Sequence, residues 1–475
     1  MTVIEHPTVD ERKDRGKTAR SKVPLSSHEG WVPARDRPDP VGLLEEQNTT
    51  REPDLVPVRH GRMVVSPFTF YRGAAKIMAA DLKDTPRADL VVQLCGDAHL
   101  SNFGAFASPE RTLLFDLNDF DETLPGPFEY DVKRLAASFT IAARNNGFTA
   151  ADARLASRTS AAAYRTAMAR FAEMRTMDVW YERVAAQEVV DAIKVKSSSL
   201  KGADKKRAKA VHKSATKTVA KGRTRDSMQA LSKLAEHVDG QYRIVSQPPI
   251  VVPLRDMPET TGYSVEQLEE MLHDQFRAYR ETLRSDQRLL LERFEIIDMA
   301  RKVVGVGSVG TRAFIVLLQG RDQQDPLFLQ VKEATKSVLE DHLPASTHAE
   351  PGERVVHGQR LMQAASDIYL GWTKGSEEGR HMYWRQLRDM KVSAEVETMG
   401  PRVLTEYAEF CGRTLARAHA RSGDPVAIAA YLGGKDGFDR SIADFSARYA
   451  DQNDQDYKAF QAAISSGRLD AVEGA

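Results

Sequence analysis

The stretch Val91-Val92-Gln93-Leu94-Cys95-Gly96-Asp97-Ala98-His99-Leu100-Ser101-Asn102 decides how the rest of the chain is read. Its Val/Leu run stops at Gly96-Asp97, as a buried strand does when it opens into a polar loop. Aspartate, four residues, then asparagine is the spacing of a phosphotransferase catalytic loop. There the aspartate takes the acceptor hydroxyl's proton and the asparagine holds magnesium. A polar turn after a strand would look the same in isolation. The residues downstream add weight: a Ser-Pro-Glu-Arg turn at 108–111 makes 103–117 a hairpin, and the cluster Asp116, Asp119, Asp121, Glu122 comes next. Hard carboxylate oxygens at a strand end suit a magnesium ion that bridges phosphates.

A second glycine-rich segment, Gly305-Val306-Gly307-Ser308-Val309-Gly310, precedes the run Ala313-Phe314-Ile315-Val316-Leu317-Leu318. A dinucleotide fingerprint would need a helix there. The β-branched and aromatic run predicts a loop between two strands, like the phosphate-covering loop of kinases. Gly305, Gly307, Ser308 and Gly310 are its candidate phosphate contacts. Lys332, at the end of Leu327-Phe328-Leu329-Gln330-Val331, sits where a kinase places its α/β-phosphate lysine. A lysine so used is removable without loss of fold. Its acidic helix partner would be Glu340 or Glu353, and the sequence leaves both open.

Composition bounds the remaining choices. Hydrophobic residues make up 41% of 475, enough for a sizeable core and against disorder or a fibre. Lys plus Arg and Asp plus Glu are each 67, so the zero net charge argues against a dedicated nucleic-acid or membrane-surface protein. The two cysteines cannot build a disulfide framework or a cysteine-based zinc site. The charged N-terminus lacks the apolar core of a signal peptide, and no apolar run nears the roughly 18 residues of a membrane span. The expectation is a soluble, cytoplasmic protein. Twelve Lys or Arg against the single acid Asp204 mark residues 194–225. This reads first as a solvated, partly helical insertion and second as a docking surface for an anionic partner. It has no aromatic platform for base stacking.

The motifs G-D-x-H-x-x-N and D-F-D, then Gly126-Pro127, Tyr130-Asp131 and Arg134-Leu135, resemble the aminoglycoside and choline kinase branch of the protein-kinase-like superfamily. By that resemblance Asp97 is the catalytic base, and Asn102 and Asp119 hold magnesium, with Asp116 the alternative ligand. Over about residues 55–450 the pattern is similar to the bacterial family called domain of unknown function 2252. Cys95 stands where that kinase branch has histidine. The order is also rotated, with the catalytic loop before the glycine-rich loop. The helix at 404–421 resembles the one that should precede the catalytic loop. Circular permutation accounts for this.

The expected fold class is α+β, a permuted kinase-like two-lobe fold with a helical insertion. Residues 1–55 read as a poorly ordered arm, 56–150 as the large-lobe segment with the catalytic and metal loops, and 151–260 as the helical, basic insertion. Residues 261–295 read as a connecting helix, 296–394 as the small β-rich lobe, and 395–475 as helices completing the large lobe. The first functional expectation is an ATP- and magnesium-dependent phosphotransferase acting on a small hydroxyl acceptor. A nucleotide-binding pseudokinase and a metal-dependent hydrolase using Asp97, His99, Asp116 and Asp119 are the alternatives. Arg72, Lys76 and Arg134 are candidate anion contacts.

Overall fold

The computed structural model describes residues 5–472 apart from 189, 192–211, 214–215, 218, 221, 223, 225, 258–262, 304, 376–378 and 388–389. The fold is mixed α+β with antiparallel sheets. Its strands are β1 (Val91–Leu94), β2 (Phe103–Ala107), β3 (Leu113–Leu117), β4 (Leu124–Pro127), β5 (Ala235–Val238), β6 (Gln241–Ile244), β7 (Val251–Pro253), β8 (Glu295–Lys302), β9 (Ala313–Gln319), β10 (Pro326–Glu333), β11 (Gly371–Lys374), β12 (His381–Gln386) and β13 (Val392–Ser393).

Six strands form one sheet in the order β11-β12-β10-β9-β8-β7. The β10 sequence is apolar at successive positions because the sheet is covered on both faces. Leu327, Leu329 and Val331 pack with Val316, Leu318, Trp384 and the Leu272, Phe276 and Tyr279 face of helix Val265–Glu281. Phe328 points the other way, toward Ile315, Leu317 and the Ser227–Leu234 helix. The two-residue side-chain period then places Gln330 and Lys332 on the Phe328 side. Helix Val265–Glu281 starts where the sequence predicts it, with a reciprocal cap between Ser264 and Gln267.

The second core gathers β1, the β2–β3 hairpin and long helices. Leu94, Leu100, Leu117, Leu404, Cys411 and Leu415 share it, so the helix Pro401–Ser422 lies under the 91–102 segment. Tyr407 donates its hydroxyl to Leu100 O at 2.9 Å, and Ser422 Oγ accepts from Gln93 N at 3.1 Å. Gly412 lets helix Ala150–Glu173 approach: a Cβ there would stand 2.2 Å from Ser160 O.

Several expectations are corrected. The stretch 1–55 holds helices at Val9–Lys22 and Pro40–Asn48. It is fastened by Arg37, which forks onto Asp81 at 2.6 and 2.8 Å and onto Asp456 at 2.8 and 2.6 Å. Leu44 is fully buried. Paired charge and apolar packing, by Val41, Leu44 and Trp31, together anchor this segment. Residues 151–260 are not purely helical, because β5 and β6 form a hairpin and β7 joins the edge of the large sheet. The basic stretch 194–225 falls mostly outside the described residues. Within the 56–150 segment, residues 67–82 form two helices, Pro67–Gly73 and Ala75–Leu82, separated at Ala74. No helix among the described residues is long and apolar enough to cross a membrane.

Leu415→Ala should cost about 2–5 kcal/mol, because it opens a hole under the 91–102 segment. Leu289→Ala, at a side chain 63% exposed, should change stability by no more than about 0.5 kcal/mol. Denaturant titration of both variants checks this contrast.

Candidate functional site

Three loops and one strand end converge. The loop after β1 carries Asp97 and Asn102, the β3–β4 loop carries Asp119, Asp121 and Glu122, and the 303–312 loop joins β8 to β9. Lys332 closes β10. Its Nζ lies 2.5 Å from Asp121 Oδ2 and 3.7 Å from Asp119 Oδ1. A cleft of about 400 Å³ opens among Asp97, Asn102, Asp119, Asp121, Gly307 and Ser308.

The loop after β1 keeps its shape through backbone contacts. Gly96 adopts φ +85°, and a Cβ there would meet Glu122 O at 2.1 Å. Asp131, at the start of helix Glu129–Asn145, accepts from Cys95 N at 2.7 Å and Gly96 N at 3.0 Å. His419 holds Asp131 from the other side at 3.1 Å. These two residues brace the loop in the absence of a histidine at position 95. Asn102 Nδ2 donates to Asp97 O at 2.6 Å. Asp97 pairs with Arg134 at 2.6 Å. Burial raises its carboxyl above the usual range, and Arg134 offsets part of that rise.

The acidic loop divides its charges unequally. Burial and the neighbouring Asp121 carboxylate raise Asp119. Its Oδ1 is buried and accepts no hydrogen bond among the described residues. Burial would also raise Asp121, but Lys332 and the Tyr383 hydroxyl at 2.7 Å outweigh it and hold it below the usual range. Burial alone would depress the Lys332 ammonium, and Asp119 and Asp121 reverse that and raise it. Burial pushes Glu122 up to about 7, although Glu122 accepts from Val338 N at 2.8 Å.

The glycine-rich loop is tied down at both ends. Arg62 donates to Gly305 O at 2.7 Å, and Arg51 donates to Val309 O. Ser308 Oγ lies 3.4 Å from Asp121 Oδ2. Gly310, at φ +87°, faces Arg51 and gives its carbonyl to Glu52 N at 2.8 Å, so it does not line the cleft. Arg72 and Lys76 also line the cleft, and Arg72 O lies against Gly307. Lys76 is paired with Glu46 and Asp341, whereas Arg72 Nε is buried without a partner among the described residues.

Three site expectations fail on geometry. Asp116 is buried elsewhere, paired with Arg417 and accepting from Leu117 N and Ala364 N. It is 1% exposed and does not line the cleft, so the four-residue hydrolase set loses a member. Glu340 accepts from Ser337 N and Ser346 N at 3.0 Å each. Glu353 turns toward His348 and His357. Neither acid is Lys332's partner. Arg354, beside Glu353, instead donates to the carbonyls of Asp121, Thr123 and Thr335. Lys332 is only 2% exposed. Removing it would leave two carboxylates without their nearest cation, so Lys332→Ala should lower stability as well as affect the cleft. His99 is 4% exposed, and burial holds its imidazole well below the usual range, as befits a neutral packing residue.

The Glu122 shift has a definite sign. A carboxyl raised above its unfolded value binds more protons when folded, so stability falls as pH rises from about 4.5 to 7. Glu122→Gln can keep the Val338 bond and should gain on the order of 1–3 kcal/mol over the parent above pH 7. The gain should vanish near pH 4, and denaturant titrations across this range check it.

No curated protein and no solved structure matches this chain. Residues 51–463, which contain the Asp97, Asp119 and glycine-rich loops, match the family described as an uncharacterized protein conserved in bacteria (DUF2252), and the chain belongs to that family.

Proposed function

We propose that this cleft binds magnesium-ATP and transfers its γ-phosphoryl group to a hydroxyl acceptor. The observation that carries the reading is the position of Lys332. It stands 3.7 Å from Asp119 beneath a glycine-rich loop, although 211 residues separate it from its closest acid, Asp121. A lysine and a metal-binding carboxylate that contact the same phosphates must lie this close.

Asp119 and Asn102 would hold magnesium. Asp119 Oδ1 fits that role, since it is buried, accepts no hydrogen bond among the described residues and is met by Lys332 only at 3.7 Å. Magnesium would supply charge neutralisation on the phosphates. Lys332 would bind phosphate oxygens, and the backbone of Gly305 and Gly307, with Ser308, would cover them. Asp97, oriented by Arg134, would accept the acceptor's proton. The strand order β11-β12-β10-β9-β8, the Pro351–Met362 helix between β10 and β11, and the Pro401–Ser422 helix under β1 support a permuted kinase-like arrangement. A nucleotide-binding pseudokinase is the second reading, and the Asp97–Arg134 pair favours it by holding the base in an ion pair.

Thermal shift against ATP, GTP and metals tests the reading. At about 100-fold over the dissociation constant, a bound nucleotide adds about 2.7 kcal/mol. No shift with any nucleotide plus magnesium would sink both readings. Asp119→Asn should lose the magnesium-dependent shift. Asp97→Asn should keep it while losing turnover by about 10²- to 10⁴-fold. Lys332→Arg, which keeps the buried cation, should fold and bind nucleotide more weakly than the parent. Parent-like nucleotide affinity in that variant would count against the phosphate role.

A further inference from the structure

The face of the Pro351–Met362 helix opposite the cleft carries a group of side chains that the phosphotransfer reading does not use. Glu353 and His357 lie one turn apart on the helix, and His348 reaches them from the loop just before it. Glu353 Oε1 is 3.7 Å from His348 Nδ1 and 3.9 Å from His357 Nε2. One ligand atom from each residue lies within 4.8 Å of the others. We propose that His348, Glu353 and His357 form a binding site for a zinc-class divalent cation, separate from the magnesium-ATP cleft.

The donor set is chemically distinct from that of the cleft. Two imidazoles and one carboxylate suit zinc and its neighbours, whereas the all-oxygen acids of the β3–β4 loop suit magnesium. Zinc bonds nitrogen and oxygen at about 2.0–2.2 Å, so tetrahedral ligand atoms sit about 3.4 Å apart. Reaching that spacing from the observed 3.7–4.8 Å requires the side chains to close by up to about 1.4 Å and the two imidazole rings, now stacked at 4.8 Å, to turn toward a common point, which their partial exposure permits.

The site is also held and accessible. Ser346 Oγ accepts from His348 N at 3.1 Å, and Glu340 accepts from Ser346 N, so the loop bearing His348 is fixed to the chain ahead of the helix. Lys374, a nearby cation, stands 3.7 Å from Glu350. The side chains of His348, Glu353 and His357 are 34%, 29% and 47% exposed, which leaves room for water or another ligand at the remaining metal positions. Trp372 packs 5.7 Å from His357 and can report on the site.

Calorimetric titration of the EDTA-treated full chain with zinc, in excess magnesium to occupy the oxygen sites, tests the assignment. The expected result is a zinc-binding event that weakens by at least about tenfold in His348→Ala, His357→Ala and Glu353→Gln. Copper(II) should quench part of the tryptophan fluorescence of the parent, and that part should be lost in Trp372→Phe and in both histidine variants. Their partial exposure makes these variants easy to fold, and melting in EDTA verifies it. Absence of a zinc event in the parent, or superimposable titrations of the parent and both histidine variants, would overturn the proposal. Neither result bears on nucleotide binding.

Discussion

The buried ammonium of Lys332 is the constraint around which the cleft is arranged. Taking such a charge out of water costs several kcal/mol unless counter-charges meet it in good geometry. Asp121 and Asp119 meet it. Satisfying Lys332 therefore pins the end of β10 to the β3–β4 loop. Tyr383, on the neighbouring strand β12, strengthens the pin by donating to Asp121. Arg354 extends it to the Pro351–Met362 helix through three backbone carbonyls. The sheet, its helix and the acidic loop are thus positioned by one local electrostatic demand.

The floor of the cleft depends on a different device. Helix Pro401–Ser422 packs apolar side chains under β1 and sends His419 to Asp131, which gathers two amides of the Cys95-Gly96 turn. The carboxylate holds the turn and the histidine holds the carboxylate. Cys95 donates its thiol to Asp119 O at 3.1 Å, linking this turn to the acidic loop. Asp97 and Asp119 therefore belong to loops that touch through backbone atoms, and a shift of one is felt by the other.

Strong local patterns make part of this legible in the sequence. Continuous apolar runs mark β9 and β10, loop spacing singles out Asp97 and Asn102, and the resemblance of the D-F-D motif adds Asp119. Lys332 stands out by its place after the glycine-rich hairpin. Its partners do not, because a strand-end lysine can pair with any acid that the tertiary fold delivers. Glu340 is easily misread although a signal is present: Ser337-Val338-Leu339-Glu340 is itself a capping box, and the structure uses it as one. Asp116 sits inside the apolar run of β3, where a carboxylate is more readily a buried partner than a loop ligand, and Arg417 supplies that partnership. The N-terminal helices are obscured because anchors such as Arg37 are polar, and charge pairing over several hundred residues leaves no local periodicity.

The inequality of the three acids between 119 and 122 arises from these same contacts. Asp121 is kept charged by Lys332 and Tyr383, while burial favours the protonated forms of Asp119 and Glu122. Lys332, Arg385 and Lys391 oppose the rise at Asp119, and Arg354 opposes it at Glu122, without cancelling it. Asp121 is thus the acid of this loop whose charge its own contacts favour most. A divalent cation placed at Asp119 would reverse the burial penalty there, since an ion at that distance favours the carboxylate more strongly than burial disfavours it. Lys332 would then face two charged acids and a cation. Its preference between Asp121 and an incoming phosphate would be set by how well the phosphate satisfied it. Under the proposed reading, metal and anion would improve each other's reception, because the cation would hold Asp119 charged and the anion would draw on the cations of the cleft.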